Sequence, residues 1–121
     1  MLVADDDAGT RDLLRALLEE QGFSVVGQAE SGEEAVAITP ELRPDVVLMD
    51  LRMPGMGGIE ATRRIREVDP RVQVVLLTVH DEKSLEASAQ QAGAYCYLVK
   101  GCPPSLICDV LLQAWQYKPD S

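Results

Sequence analysis

Five side chains in this sequence could carry a reaction, and each stands just past a short apolar run. Asp5 and Asp6 follow Leu2, Val3 and Ala4. Asp50 follows Val46 to Met49, Thr78 follows Val72 to Leu77, and Lys100 follows Tyr95 to Val99. Three carboxylates, a hydroxyl and an amine suit phosphoryl transfer to an acid. A carboxylate can attack phosphorus and form an acyl phosphate, and being ionised already it needs no general base. What remains is positioning, and neutralisation of the equatorial oxygens. Carboxylates held close together repel and push one another towards the protonated form. A hard divalent cation relieves that repulsion. Mg2+, which takes oxygen ligands at about 2.0–2.1 Å and keeps some water, suits two carboxylates and a phosphate. Lys100 supplies a mobile point charge and Thr78 a hydroxyl donor. Singly each has an ordinary reading: Asp5 and Asp6 as helix caps, Asp50 as a turn residue, Thr78 as a strand-end hydroxyl, Lys100 as a solvated loop lysine. Their joint placement selects the chemistry.

That placement follows from the elements around them. The stretch Asp45 to Gly58, DVVLMDLRMPGMGG, reads as a buried strand, a loop with Pro54 and three glycines, and a helix starting near Ile59. Such a strand presents a reactive group at the carboxyl edge of an α/β sheet. Before it, Leu13, Leu14, Leu17 and Leu18 mark the inner face of a first helix, with Gly22 as its stop. Ser24 to Gln28 reads as the second strand. Ser31 with Glu34 is a capping box opening the second helix, which Pro40 is expected to end. In the third helix Ile59, Ile65 and Val68 face inwards, and Arg63, Arg64 and Arg66 face solvent. A fourth helix, from Asp81 or Ser84 to Ala92 with Gly93 as its stop, has Leu85 as its only large apolar residue. It should be loosely held. Pro103 and Pro104 introduce the last helix, with Leu106, Ile107, Val110, Leu111 and Ala114 inside.

Five strand–helix pairs in alternation specify an α/β fold with a parallel sheet covered on both faces. Right-handed crossovers then predict a flavodoxin-like, doubly wound, three-layer sandwich of five helices and five strands, in the order 2-1-3-4-5. Its switch point lies between strands one and three, where Asp5, Asp6 and Asp50 meet.

The 121 residues make one domain, with 46% hydrophobic residues and a net charge of −9. That charge argues against direct nucleic-acid binding. No apolar run approaches a membrane span, and no signal peptide is evident, so a cytoplasmic protein with no membrane partner is expected. Cys96, Cys102 and Cys108 lack CxxC spacing and are expected as reduced thiols.

VADDD at the start, VVLMDLRMPG around Asp50, VVLLTVHD at Thr78 and AGAYCYLVKG at Lys100 occur in one order over nearly the whole chain. DD or MPG alone is a weak signal; the ordered set is specific. By it the chain resembles a response-regulator receiver (CheY-like) domain, the phospho-acceptor of two-component phosphorelay systems. The resemblance implies that Asp50 is phosphorylated, and that Asp5, Asp6, Asp50 and the backbone carbonyl of Arg52 hold Mg2+ or Mn2+. It makes Thr78 the switch hydroxyl, Lys100 the phosphate-binding lysine and Tyr97 the aromatic that turns inwards with Thr78. It implies a sensor histidine kinase as partner, with small phosphodonors such as acetyl phosphate as substitutes. The domain would be no enzyme beyond supporting its own phosphorylation and dephosphorylation. LRMPGM, TVHDE and the lack of proline after Lys100 resemble the LuxR/NarL type. That type carries a helix-turn-helix output domain, so DNA would be reached only through a domain absent from residues 1–121. Phosphorylation would then alter the surface of helix four, strand five and helix five (or helices one and five), giving a homodimer or a released output domain.

Three positions depart from the family pattern. Gly101 stands where proline is frequent, Gly57 replaces an acid, and Met1 lies close enough to Asp5 to clip the first strand. His80, two residues past Thr78, and Arg52 are read as tuning hydrolysis of the phosphoryl group by controlling water access. Rival readings are weaker. An FMN carrier would not place three aspartates after strand one, and an aspartyl phosphatase would have an acid two residues past its nucleophile, where Arg52 stands. A degenerate receiver acting as a phosphorylation-independent docking module is the remaining alternative.

Overall fold

Val46 to Asp50 are buried along their whole length, and the rest of the fold is layered around them. The computed structural model describes residues 1–79 and 83–117, so His80 lies outside the described residues. The elements are β1 (Leu2–Ala4), α1 (Ala8–Glu20), β2 (Gly27–Ala29), α2 (Gly32–Leu42), β3 (Val46–Asp50), α3 (Gly58–Val68), β4 (Gln73–Thr78), α4 (Lys83–Ala92), β5 (Cys96–Val99) and α5 (Pro104–Gln116). All neighbouring strands pair in parallel, in the order β2-β1-β3-β4-β5. This is the expected doubly wound topology.

Alternation along each strand divides the core into two. Leu2, Val47, Met49, Val74 and Leu76 face α2, α3 and α4, where Ala35, Ala61, Ile65 and Ala89 meet them. Val3, Val46, Leu48, Val75 and Leu77 face α1 and α5, against Leu14, Leu18, Ile107, Val110 and Leu111. Leu18 is fully buried in that second cluster. Leu18→Ala is expected to lower the unfolding free energy by about 2–5 kcal/mol, measured by urea denaturation with unchanged slope.

Several boundaries differ from the sequence expectation. Pro40 does not end α2, which continues to Leu42 with Pro40 inside it. Leu42 packs on the core and covers Gly27, where a Cβ would lie 2.6 Å from the leucine's Cδ1. That packing outweighs the one helical hydrogen bond the proline lacks, and the helix stops instead at Arg43, whose φ is 47°. The second strand is Gly27–Ala29 rather than residues 24–28, because its neighbour β1 has only three residues to pair with. Leu13, Val68 and Leu106, expected inside, are exposed. In α1 and α5 the buried stripe is narrower than the apolar pattern: Leu14 and Leu18 in one, Ile107, Val110, Leu111 and Ala114 in the other. Arg66, expected in solvent, donates to the carbonyls of Pro70 and Val72 at 2.6 and 2.7 Å.

Other local signals hold. Ser31 caps α2 by accepting the Glu34 N–H at 3.1 Å, and the Glu34 carboxylate accepts the Glu30 N–H at 3.3 Å. Gly22 and Gly93 follow α1 and α4 with φ of 91° and 98°, the left-handed conformation that ends a helix. On α4 Ala89 is buried and Leu85 packs beside it, so this helix buries little apolar area. The start at Asp81 falls outside the described residues; the described helix begins at Lys83. No described peptide bond is cis, including the one after Lys100.

Candidate functional site

Parallel pairing delivers four strand ends to one edge. Asp5 follows β1 and extends its pairing, its N–H donating to the Ala29 carbonyl at 3.0 Å. Asp50 ends β3 opposite Leu77 of β4, and Thr78 ends β4 opposite Val99 of β5. Lys100 comes next in the chain. Asp5, Asp50 and Thr78 are buried there, Lys100 is partly buried and Asp6 is exposed.

One carboxylate oxygen from each of Asp5, Asp6 and Asp50 lies within 4.8 Å of the others. The Lys100 Nζ lies 3.2 Å from Asp5 Oδ2 and 3.5 Å from Asp50 Oδ1, bridging β5 to both β1 and β3. The second Asp5 oxygen, Oδ1, accepts the Asp7 N–H at 2.9 Å, which orients the carboxylate. Its carbonyl accepts from the Arg11 guanidinium at 2.7 Å. Asp7, and not Asp5 or Asp6, caps α1, accepting the Thr10 N–H at 3.0 Å. Asp5 and Asp6 are thus left to the cleft.

The electrostatics follow from this crowding. Burial pushes the Asp50 carboxyl above its ordinary value, and the Asp5 charge pushes the same way; Lys100 and the Arg52 N–H oppose them without cancelling them. Burial works against the Lys100 ammonium, but the charges of Asp50 and Asp5 outweigh it and hold its pKa up. The pocket therefore contains a reluctant carboxylate and a secure cation.

All three acids present hard oxygen donors, with no described thiol or imidazole among them. That donor set fits Mg2+ or Mn2+ rather than a softer metal.

The loop after Asp50 is fixed at several points. The Leu51 N–H donates to the Leu77 carbonyl at 3.1 Å, and the Gly58 N–H donates to the Leu51 carbonyl at 2.8 Å. Leu51 and Met53 are buried, while the Arg52 side chain between them is exposed. The Arg52 N–H donates to the Asp50 carboxylate. Tyr97 lies on β5, partly buried and opposite Leu76. The structure thus brings Asp5, Asp6, Asp50, Arg52 and Lys100 together, places Thr78 at the same edge and Tyr97 on the adjoining strand, and leaves His80 undescribed.

Sequence reasoning missed Glu33. Its carboxylate, in the first turn of α2, accepts the Met56 N–H of the loop that follows Asp50. A further cavity of about 530 Å3, among Met1, Phe23, Arg43, Leu112 and Trp115, opens at the opposite end of the sheet and touches none of these residues.

No described helix is long and apolar enough to cross a membrane. The family model of the response regulator receiver domain matches residues 1–112. Response regulator GacA of Pseudomonas aeruginosa is 44% identical over 101 residues, covering 84% of this chain and 47% of that protein. The chain spans about half the length of the curated relatives it matches. The receiver domain of the putative response regulator NarL from Mycobacterium tuberculosis superposes with a TM-score of 0.91 at 31% identity, covering 97% of this chain and 95% of that one. A chain of the CheX–CheY–BeF3–Mg2+ complex from Borrelia burgdorferi superposes with a TM-score of 0.89 at 26% identity, over 96% of this chain and 88% of that one. With the edge of acids, hydroxyl and lysine already in place, this chain belongs to the response regulator receiver domains of two-component systems, and the NarL receiver is among the structures it resembles.

Proposed function

We propose that Asp50 is the phospho-acceptor, taking a phosphoryl group from a sensor histidine kinase or from a small donor such as acetyl phosphate. The observation that carries this is the Lys100 ammonium, placed beside both Asp5 and Asp50 within the cluster of three carboxylates. An Asp50 oxygen attacks phosphorus; the new O–P bond forms as the bond to the donor's leaving group breaks, and the leaving group departs with the electron pair. Burial keeps water away from the nucleophile, and Lys100 offers its charge to the transferred oxygens. Thr78 offers a hydroxyl to another. Asp5, Asp6, Asp50 and the Arg52 carbonyl would hold Mg2+ or Mn2+, which supplies neutralisation of the acids and of the phosphoryl charge. The BeF3 and Mg2+ named for the related CheX–CheY complex support the choice of ion.

The added charge draws Thr78 inwards, and Tyr97 follows. The surface of α4, β5 and α5 changes with them, and α4, which buries little, is the element most easily biased. That surface then controls pairing with a second copy or an output domain in the longer protein, as a regulator of transcription in the cytoplasm. Arg52 and His80 limit water access and so set the lifetime of the phosphoryl group.

The test is intact mass after incubation with Mg2+ and acetyl phosphate. The expected result is one phosphoryl group on the wild type, none on Asp50→Asn, and none when EDTA is present. A wild type that takes no phosphoryl group and forms no beryllofluoride complex would overturn the reading in favour of a docking module.

A further inference from the structure

The loop between Asp50 and α3 has two sides. Its inner side is tied to β4 through Leu51 and sunk into the core through Met53. Its outer tip, Pro54 to Met56, is exposed or only partly buried and cannot be held by apolar packing alone. The first turn of α2 meets that tip. The Glu33 carboxylate accepts the Met56 N–H, from 23 residues earlier in the chain. Gly55, with φ of 75°, passes so close that a Cβ there would lie 3.0 Å from Glu33 Oε1. The neighbouring Gly32 is packed against the Met56 carbonyl, and a Cβ at that position would also lie 3.2 Å from Ala61 Cβ.

We propose that Glu33 is a positioning residue for the phospho-acceptor loop, holding the Arg52 backbone in register with Asp50 through its hydrogen bond to Met56. Arg52 stands between the two anchors. Its N–H donates to the Asp50 carboxylate, so a tip that drifts from α2 would take that donor and the Arg52 carbonyl out of place. A charged acceptor makes the stronger hydrogen bond, and here it joins an element with no other part in the site to the backbone that completes it. The consequence for metal binding rests on the assignment of the Arg52 carbonyl made under Proposed function.

The experiment compares Glu33→Ala and Glu33→Gln, since glutamine keeps an acceptor oxygen for the Met56 N–H. Amide hydrogen exchange is measured on the metal-free domain, with Val75 in β4 as the reporter of global opening. Glu33→Ala is expected to speed exchange of the Met56 and Arg52 amides at least tenfold at unchanged Val75 protection, with Glu33→Gln within threefold of wild type. Calorimetric titration with Mg2+ is expected to give a dissociation constant at least threefold higher for Glu33→Ala, again recovered by glutamine. Wild-type exchange at Arg52 in Glu33→Ala would overturn the proposal, as would glutamine behaving like alanine. A wild type that takes up no Mg2+ would instead overturn the functional reading, while the exchange rates would still decide the role of Glu33.

Discussion

Replacing Gly58 by alanine is expected to disable the domain, whereas the same change at Gly57, one residue earlier, should be nearly silent. Gly58 opens α3 directly beneath Asp50. An alanine Cβ there would press into the Asp50 carbonyl oxygen and lie 2.9 Å from Leu51 Cα, both backbone atoms of the segment that carries the acid. Neither can rotate away as a side chain could. At Gly57 the added Cβ would meet only the Leu51 carbonyl, at an ordinary 3.4 Å. Forcing atoms into a filled site costs about 1–3 kcal/mol, and a backbone clash belongs at the upper end. For a chain of this size that is a fall in Tm of roughly 12 °C. With Asp50 as the proposed phospho-acceptor, its displacement is expected to add a kinetic loss of about 100-fold in phosphorylation by acetyl phosphate, the scale for a reacting group moved by about 1 Å. Calorimetry and timed mass spectra of the two variants check both parts. Equal behaviour of Gly58→Ala and Gly57→Ala would show that the loop yields freely.

The second large effect is a pair of opposite shifts in stability. Without metal, Asp50 is a carboxyl whose pKa in the folded state lies above its ordinary 3.8, through burial and the charge of Asp5. A group raised in this way contributes stability that is fully present below its unfolded pKa and is lost as pH rises through the folded value. At neutral pH the ionised Asp50 therefore opposes folding. Asp50→Asn should stabilise the metal-free domain at pH 7.5 by on the order of 1 kcal/mol, the ordinary scale of point substitutions with the sign reversed. The gain should shrink as pH falls through the Asp50 titration.

Lys100 behaves the other way. Its folded pKa is raised by Asp50 and Asp5, so its contribution is fully present below 10.5 and is lost only above that. Lys100→Met should lower stability at pH 7.5 by about 2 kcal/mol, less than the ~3–5 kcal/mol of a fully buried pair. The reduction is expected because the lysine is 26% exposed and Asp50 can take up a proton in its place. Acidification should partly rescue Lys100→Met. Urea unfolding in EDTA across pH 4.5–8 measures all three proteins, a range set by the acid limb of this titration. Destabilisation by Asp50→Asn throughout would contradict the crowded-acid account. Added Mg2+ should stabilise the wild type in proportion to ln(1 + [Mg2+]/Kd), and Asp50→Asn much less.

Much of this was legible in the sequence because period and order are read directly from it. Strands such as Val46 to Asp50 and Gln73 to Thr78 are nearly continuous apolar runs, which only a sheet covered on both faces permits. Parallel pairing then carries Asp5, Asp50, Thr78 and Lys100 to one edge without any knowledge of side-chain contacts. What was not legible depended on tertiary packing. Pro40 is a local signal to stop, overridden by Leu42 lying on Gly27. Leu13 and Leu106 belong to the apolar pattern but fall one residue outside the arc that touches the sheet. Glu33 belongs to no motif, and the sequence holds no sign that its carboxylate reaches the backbone of Met56.

The Lys100–Asp5 contact joins positions 95 apart, and β1 is sandwiched between β2 and β3. The pocket thus joins residues made far apart in time. At a synthesis rate of about 5–20 residues per second, Asp5 waits roughly 5–20 s for its lysine. Once Asp50 has been made, the nascent chain carries Asp5, Asp6 and Asp50 together, yet it still lacks the cation that neutralises them. With Asp50 as the proposed phospho-acceptor, competence to accept a phosphoryl group is expected to arrive only with β5, and a chain that ends before it is expected to be silent.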